Sequence, residues 1–229
     1  VVGNANYANA PRLATSINDA EDIAEALTHL GFDIVLRRDA TAADLRSAIE
    51  EFSQKSNNAD IAVVYFAGYS LNVGVGGYLI PIDARLSNPS DLRTETVSLP
   101  EMMSGAGRAH SLGLVILDAL HGNPFPVKVE TSNVDPGTDA ASPRSRGARN
   151  VLLLFATEPR RTSEQSHGRN SPLAAALLEN LPKPNLEINF LLRNVRDHVR
   201  RSTHSKQTPY MYGQLSKQKI FLASRGEPA

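Results

Sequence analysis

The sequence contains no cysteine. That absence excludes a disulfide framework, thiolate metal sites and a thiol nucleophile together. It leaves the compartment open, cytoplasmic or periplasmic, since proteins without disulfides occur on both sides of a membrane. Net charge is absent too: 24 Lys and Arg balance 24 Asp and Glu, so no overall field steers the chain towards nucleic acid or an anionic membrane. No apolar run reaches the roughly 20 residues a bilayer-spanning helix needs, and no charged, apolar and small-residue series marks a signal peptide. Six histidines are present, none in an H-x-x-x-H pair, so their spacing supports no zinc site.

What the chain does have is enough apolar sequence for one large core. Its 229 residues, 41% hydrophobic, fit a single domain. Short Val-, Ile- and Leu-rich runs at 32–36, 61–66, 112–117, 151–156 and 219–222 read as buried strands. Val1-Val2-Gly3-Asn4 reads as the tail of another, so the expectation is that the sequence enters inside its first strand.

Between these runs the apolar spacing turns helical. In 17–30, Ile23, Ala24, Leu27 and Leu30 share a face and Gly31 is the stop. Residues 41–56 repeat the pattern behind a Thr41/Asp44 capping pair, and Ser98/Glu101 marks a further start. Ser171 caps a helix with Pro172 in first position, and Asn185 is read as opening the last long helix, with a stripe of Ile188, Leu191, Leu192, Val195 and Val199. Alternation of this kind predicts an α/β three-layer sandwich: a mostly parallel sheet of about six strands, antiparallel at its last strand, with helices on both faces. Residues 127–149 break the pattern, being rich in Ser, Pro, Gly, Asp and Thr, and are expected to form a mobile surface loop. Its basic end, 142–149, has no interleaved aromatics and reads as a solvated loop rather than a nucleic-acid patch.

Several motifs in order resemble the caspase-like peptidases of bacteria, of the metacaspase or orthocaspase type. Val2-Gly3-Asn4-Ala5-Asn6-Tyr7 is similar to their opening strand and loop, Asn18-Asp19-Ala20 to the start of the first helix, and Leu30-Gly31-Phe32 to the turn into the second strand. Residues 60–70, D-I-A-V-V-Y-F-A-G-Y-S, resemble the strand that ends in the family's catalytic histidine, A-G-H-G. Residues 77–83, G-Y-L-I-P-I-D, follow at the family spacing. Residues 114–125, L-V-I-L-D-A-L-H-G-N-P-F, resemble the strand that ends in the nucleophile, L-D-A-C-R-D-N-P-F, and Phe155-Ala156-Thr157, Asn170-Ser171-Pro172 and Tyr210-Met211-Tyr212-Gly213 match the C-terminal portion. The resemblance implies a large portion over 1–126, a linker at 127–149 and a small portion over 150–229 of one domain.

It also implies a site whose chemistry has been replaced. The imidazole position carries Tyr69 and the thiol position Leu120. A phenol with pKa near ~10 shuttles protons poorly at neutral pH, and leucine has no nucleophilic atom. The residues after them differ as well: Ser70 stands for the family glycine, and His121-Gly122 for an Arg-Asp pair. Tyr69 and Leu120 are expected to pack on each other, with the phenolic hydroxyl at the rim of the cleft. The two acids that line the family's pocket for an Arg or Lys side chain match Asp19 and Asp118, with Ala67 beside them, a carboxylate pair suited to a guanidinium. The alternative is structural: Asp19 capping the first helix and Asp118 holding a loop amide.

The reading is therefore a catalytically inactive caspase-like domain that acts in peptide or protein binding or in regulation, with Arg or Lys side chains one candidate ligand. Its rival is an active endopeptidase cleaving after Arg or Lys through Ser70 and His121, two groups expected just beyond neighbouring strand ends. No metal or cofactor is required, although the resemblance leaves room for calcium at acids such as Asp83 and Asp91. Related caspases pair through the last strand of their sheet. Residues 217–222 occupy that place, and their lysines and Gln218 read as a blunted edge and a monomer rather than a homodimer. Limited trypsin digestion with mass mapping should give its first cuts within 127–149; first cuts inside 17–30 or 61–66 would contradict the domain layout.

Overall fold

The computed structural model describes residues 1–73, 76–121, 123–126, 150–157, 168–213 and 218–223, with the side chains at 73, 76, 120 and 121 outside that description. The expected linker, 127–149, lies outside the described residues. The strands are β1 (Val2–Gly3), β2 (Arg37–Arg38), β3 (Ile61–Val73), β4 (Gly76–Leu79), β5 (Val97–Ser98), β6 (Leu112–His121), β7 (Val151–Phe155) and β8 (Tyr210–Gly213). The helices are α1 (Ser16–His29), α2 (Ala42–Ser56), α3 (Asp91–Glu95), α4 (Leu99–Ala106), α5 (Pro172–Asn180) and α6 (Ile188–Ser202).

The strands form one eight-stranded sheet with the path β2-β1-β3-β6-β7-β8, to which β4 and β5 are added beside β3. Pairing is parallel from β2 to β7, and β8 returns antiparallel to β7. The expected six-strand path is thus present, and the β4–β5 pair widens it.

Side-chain alternation explains the layers, because successive strand residues point to opposite faces. Leu114, Ile116, Leu152 and Leu154 join Leu27 of α1, Leu177 of α5 and Leu192 of α6 in one buried cluster. Val115, Leu117, Leu153 and Phe155 join Leu45 of α2 and Met102 of α4 in the other. Strands buried on both faces read as continuous apolar runs for this reason. Thr41 caps α2 reciprocally with Asp44, and the Glu101 carboxylate takes the Ser98 N–H at 2.7 Å before α4.

Several expectations are corrected. Residues 32–36 form no strand; the pairing falls on Arg37–Arg38, where β1 supplies partners at Val2 and Gly3. The runs at 61–66 and 112–117 extend to Val73 and His121, because β3 and β6 support each other to Ser70↔His121 and β4 pairs with β3 beyond. Among the described residues the last strand is β8, not 219–222: there Ile220 and Leu222 are buried in the core, and Phe221 makes an isolated bridge with Glu187. The described part of the edge considered for self-association, 218–222, is therefore not a strand of the sheet, and the outer described strand on that side is β8. The last helix starts after Glu187, which caps Asn189, while Asn185 sits in the left-handed region at φ 58°. Among the described residues no helix is long and apolar enough to cross a membrane.

Leu153, fully buried on β7, should cost about 2–5 kcal/mol when cut to alanine. Phe190, 59% exposed on α6, should cost within about 0.5 kcal/mol. Urea unfolding of Leu153→Ala and Phe190→Ala checks both, and similar losses would contradict the layer assignment.

Candidate functional site

The carboxyl ends of β3 and β6 run side by side, with Ala67↔Asp118, Gly68↔Ala119, Tyr69↔Leu120 and Ser70↔His121 as register partners. Parallel strands in register keep equivalent residues on one face, so positions 69 and 120 share a face and 70 and 121 share the other. The sequence-derived pairings are therefore adjacent in the backbone.

Tyr69 is 5% exposed. Its ring meets Tyr7 edge-on with centroids 4.9 Å apart and Phe125 at 6.2 Å, both in the favoured edge-to-face range. Its hydroxyl donates to the Pro11 carbonyl at 3.3 Å, and its N–H donates to the Tyr7 hydroxyl at 2.8 Å. Tyr7 passes a hydrogen bond on to the Ile80 carbonyl at 3.2 Å. Gly68 makes this possible: a Cβ there would lie 2.6 Å from the Tyr7 hydroxyl. Burial raises the pKa of Tyr7 and of Tyr69, so both stay neutral phenols at neutral pH. The expectation of a free rim hydroxyl on a ring packed against Leu120 is corrected to this extent: the ring lies in a buried cluster with Tyr7 and Phe125, and its hydroxyl is held by the Pro11 carbonyl. The side chains of Leu120 and His121 fall outside the described residues. Ser70 is corrected too, as it is 4% exposed inside β3 rather than at a rim.

The two acids meet at the start of α5. Asp19, 1% exposed on the first turn of α1, accepts the Ser171 N–H at 2.8 Å. Asp118, half-buried on β6, accepts the Tyr65 hydroxyl at 2.7 Å and the Ser171 hydroxyl through the same oxygen. Ser171 also caps α5 by accepting the Ala174 N–H at 2.9 Å. One serine thus bridges both carboxylates to a helix N-terminus, whose dipole favours negative charge. Asp19 does not cap α1, where Thr15 holds the cap position. Ala67 lies between Gly3 and Asp118 in the sheet and is buried in the core beside Tyr65 rather than lining an open pocket.

Desolvation, then the nearby Asp118 charge, pushes Asp19 up to about 7; hydrogen bonds from Ser171, Thr15 and Asn170 pull the other way. Desolvation also raises Asp118, against hydrogen bonds from Ser171, Tyr65 and the Ala174 amide. Two close buried carboxyls cannot both ionise cheaply, so the pair holds a proton near neutrality. Beside them Arg169 grips Asp22 through two bonds of 2.9 and 2.6 Å, and Asn170 donates to the same carboxylate at 2.9 Å. That ion pair holds Asp22 below its ordinary range.

Sequence reasoning missed Tyr7, Phe125 and Tyr65 as site residues, and took Ser171 only as a cap. The signal for Tyr7 and Phe125 lay in the quoted motifs, but a motif carries no information on which rings meet. Asp83 and Asp91, named for calcium, serve local backbone: Asp83 accepts the Ala42 N–H at 3.0 Å, and Asp91 those of Ser87 and Asn88 at 2.9 and 2.8 Å. Among the described residues no three His, Asp or Glu side chains gather as a metal site would require.

The pair's contribution to stability has a definite sign. A carboxyl protonated up to about pH 7 when folded, but only to roughly pH 4 when unfolded, binds more protons in the folded state between those values. Its stabilising contribution is complete below pH ~4 and is lost as pH rises to about 7. Asp19→Asn keeps an acceptor for Ser171 without the titration, so its urea midpoint should fall less from pH 4 to 7 than that of the parent. Equal slopes would contradict the shared proton.

The caspase domain model of the Peptidase C14 family matches residues 1–220. The solved structure of pro-Sf-caspase-1 aligns with a TM-score of 0.65 over 99% of this chain and 88% of that one, at 16% identity, a likeness of fold. Human mucosa-associated lymphoid tissue lymphoma translocation protein 1 is 27% identical over 95 residues, 42% of this chain and 11% of that protein. Its mouse homolog is 25% identical over 95 residues, with the same shares of 42% and 11%. The chain spans only about a tenth of the length of these curated relatives. With the family matched across nearly all of its length and the sheet following the fold expected of it, this chain belongs to the caspase domain family.

Proposed function

We propose that this chain is a caspase-family domain without peptidase activity, whose cleft binds a peptide or protein partner and, at Asp19 and Asp118, an Arg or Lys side chain. The observation that carries the reading is the Tyr69↔Leu120 register pair, standing where the resemblance puts imidazole and thiol, in a chain with no cysteine. Covalent catalysis needs a nucleophile and a base acting as a unit. A buried neutral phenol and an aliphatic residue supply neither.

The acid pair is at present satisfied from within, by Ser171 and Tyr65. A guanidinium would replace neutral hydrogen bonds with charge-assisted ones and draw the shared proton off the pair. Affinity for an Arg-containing peptide should therefore rise as pH passes about 7, the value to which Asp19 is pushed. A second reading is favoured by Ser70↔His121, also register partners. Its serine is buried, which counts against a nucleophile open to substrate.

A panel of Arg, Lys and Asp fluorogenic peptides, with and without calcium, should give no turnover above the blank. Fluorescence anisotropy with the Arg peptide should show binding that is lost in Asp118→Ala and strengthens from pH 6 to 8. Restoring Tyr69→His, Ser70→Gly and Leu120→Cys together should return a trace of thiol-dependent cleavage after basic residues, because position contributes much of what a dyad needs; neither Tyr69→His nor Leu120→Cys alone should suffice. Robust cleavage by the native chain, abolished by Ser70→Ala, would overturn the inactive reading and install the serine one.

A further inference from the structure

The charge balance of the whole chain is not kept on α6. Basic and acidic side chains number 24 each overall, yet α6, reading I-N-F-L-L-R-N-V-R-D-H-V-R-R-S, carries four arginines against a single acid. Its apolar stripe of Ile188, Leu191, Leu192, Val195 and Val199 is buried in the core, so the charges stand on the other side of the helix. Asp197 answers one of them: the Arg196 guanidinium donates to it at 3.0 and 2.9 Å. Among the described residues Arg193, Arg200 and Arg201 are exposed and none forms an ion pair.

The same face holds an aromatic ring. Phe190 is 59% exposed, the large apolar side chain that the described residues leave open to water. The Arg193 guanidinium carbon lies 5.7 Å from its ring centroid, within cation–π range. Helical spacing lines Arg193 up with Arg200 two turns on, and Phe190 with Arg201 three turns on. Compensation of the helix dipole accounts for cations in the last turn, Arg200 and Arg201. It accounts neither for Arg193 in the second turn nor for the exposed ring beside it.

Chemistry selects the partner. Every cation on α6 outside its histidine is an arginine, whose planar fork takes a carboxylate through two hydrogen bonds. A helix lying on a membrane turns its apolar stripe to the lipid, whereas here that stripe faces the core. A phosphate backbone would meet the Asp197 carboxylate between the arginines. A polypeptide avoids that repulsion, because it can set carboxylates on the arginines and an apolar group on the ring.

We propose that the outer face of α6 is a docking surface for an acidic segment of another protein, which sets two carboxylates about 10 Å apart over Arg193 and Arg200 and an apolar side chain against Phe190. Arg201 takes a further acid at the edge of the contact. The surface shares no residue with the Asp19 and Asp118 pair, so it stands whether or not the cleft binds a ligand.

The probe is a fluorescein-labelled helical peptide with glutamates at i, i+3 and i+7 and a leucine at i+4, followed by anisotropy at low salt. A control peptide carries glutamine in place of each glutamate. The native chain should bind the acidic peptide and not the control, and added salt should weaken the complex. Arg193→Gln and Phe190→Ala should each weaken binding about fivefold, and Arg193→Gln, Arg200→Gln and Arg201→Gln together by about tenfold or more. Circular dichroism should show each variant folded, and Arg108→Gln, exposed after α4, should bind as the native chain does. No binding of the acidic peptide by the native chain, or equal binding by the triple variant, would overturn the proposal. So would tighter binding to phosphatidylserine vesicles or to duplex DNA that the triple variant loses, since the face would then serve phosphate groups.

Discussion

The parallel ladder between β3 and β6 runs unbroken from Ile61↔Leu112 to Ser70↔His121, and the arrangement at the carboxyl edge depends on it. Because register in a parallel pair assigns each residue both a neighbour and a face, it brings residue 69 beside 120 and puts Asp118 next to Ala67. It also holds the base on which α5 docks. A slip of one residue would turn Val64, Phe66, Val115 and Leu117 away from α2 and α4, exposing one core to save nothing in the other.

The acid pair shows the same dependence across greater sequence distance. Asp19 comes from α1, Asp118 from β6 and Ser171 from the cap of α5, and they meet through hydrogen bonds spanning 152 and 53 residues of sequence. Ser171 would be an ordinary helix cap anywhere else. Here its N–H and O–H are divided between two carboxylates that burial has made reluctant to ionise, so local capping and the electrostatics of the pocket are one structure.

Much of this was legible in the sequence, for physical reasons. Strands buried on both faces must be apolar throughout, so 61–66, 112–117 and 151–156 announced themselves, and the Thr41 cap was readable from the Asp44 that reciprocates it. The polar or small residues at the strand ends were not, since Gly68, Ser70 and Ala119 continue the ladder only because a neighbouring strand supports them. Residues 32–36 failed in the opposite sense: an apolar run needs a partner strand, and pairing there starts only at Arg37. Of the site, the register partners and the acids were visible as positions. Their contacts were not, because whether Tyr69 turns to Tyr7 and Phe125 is decided by loops that no periodicity describes.

The hydrogen bond from the Tyr69 N–H to the Tyr7 hydroxyl separates the hold on the backbone from the packing of the side chain. It grips the backbone at position 69 from the loop side while β6 grips the strand from the sheet side, and neither hold involves the side chain that position 69 carries. The backbone is thus held independently of the ring, which makes its own contacts with Tyr7, Phe125 and the Pro11 carbonyl. An exchange at position 69 therefore leaves the strand end anchored and bears on the packing of the ring instead.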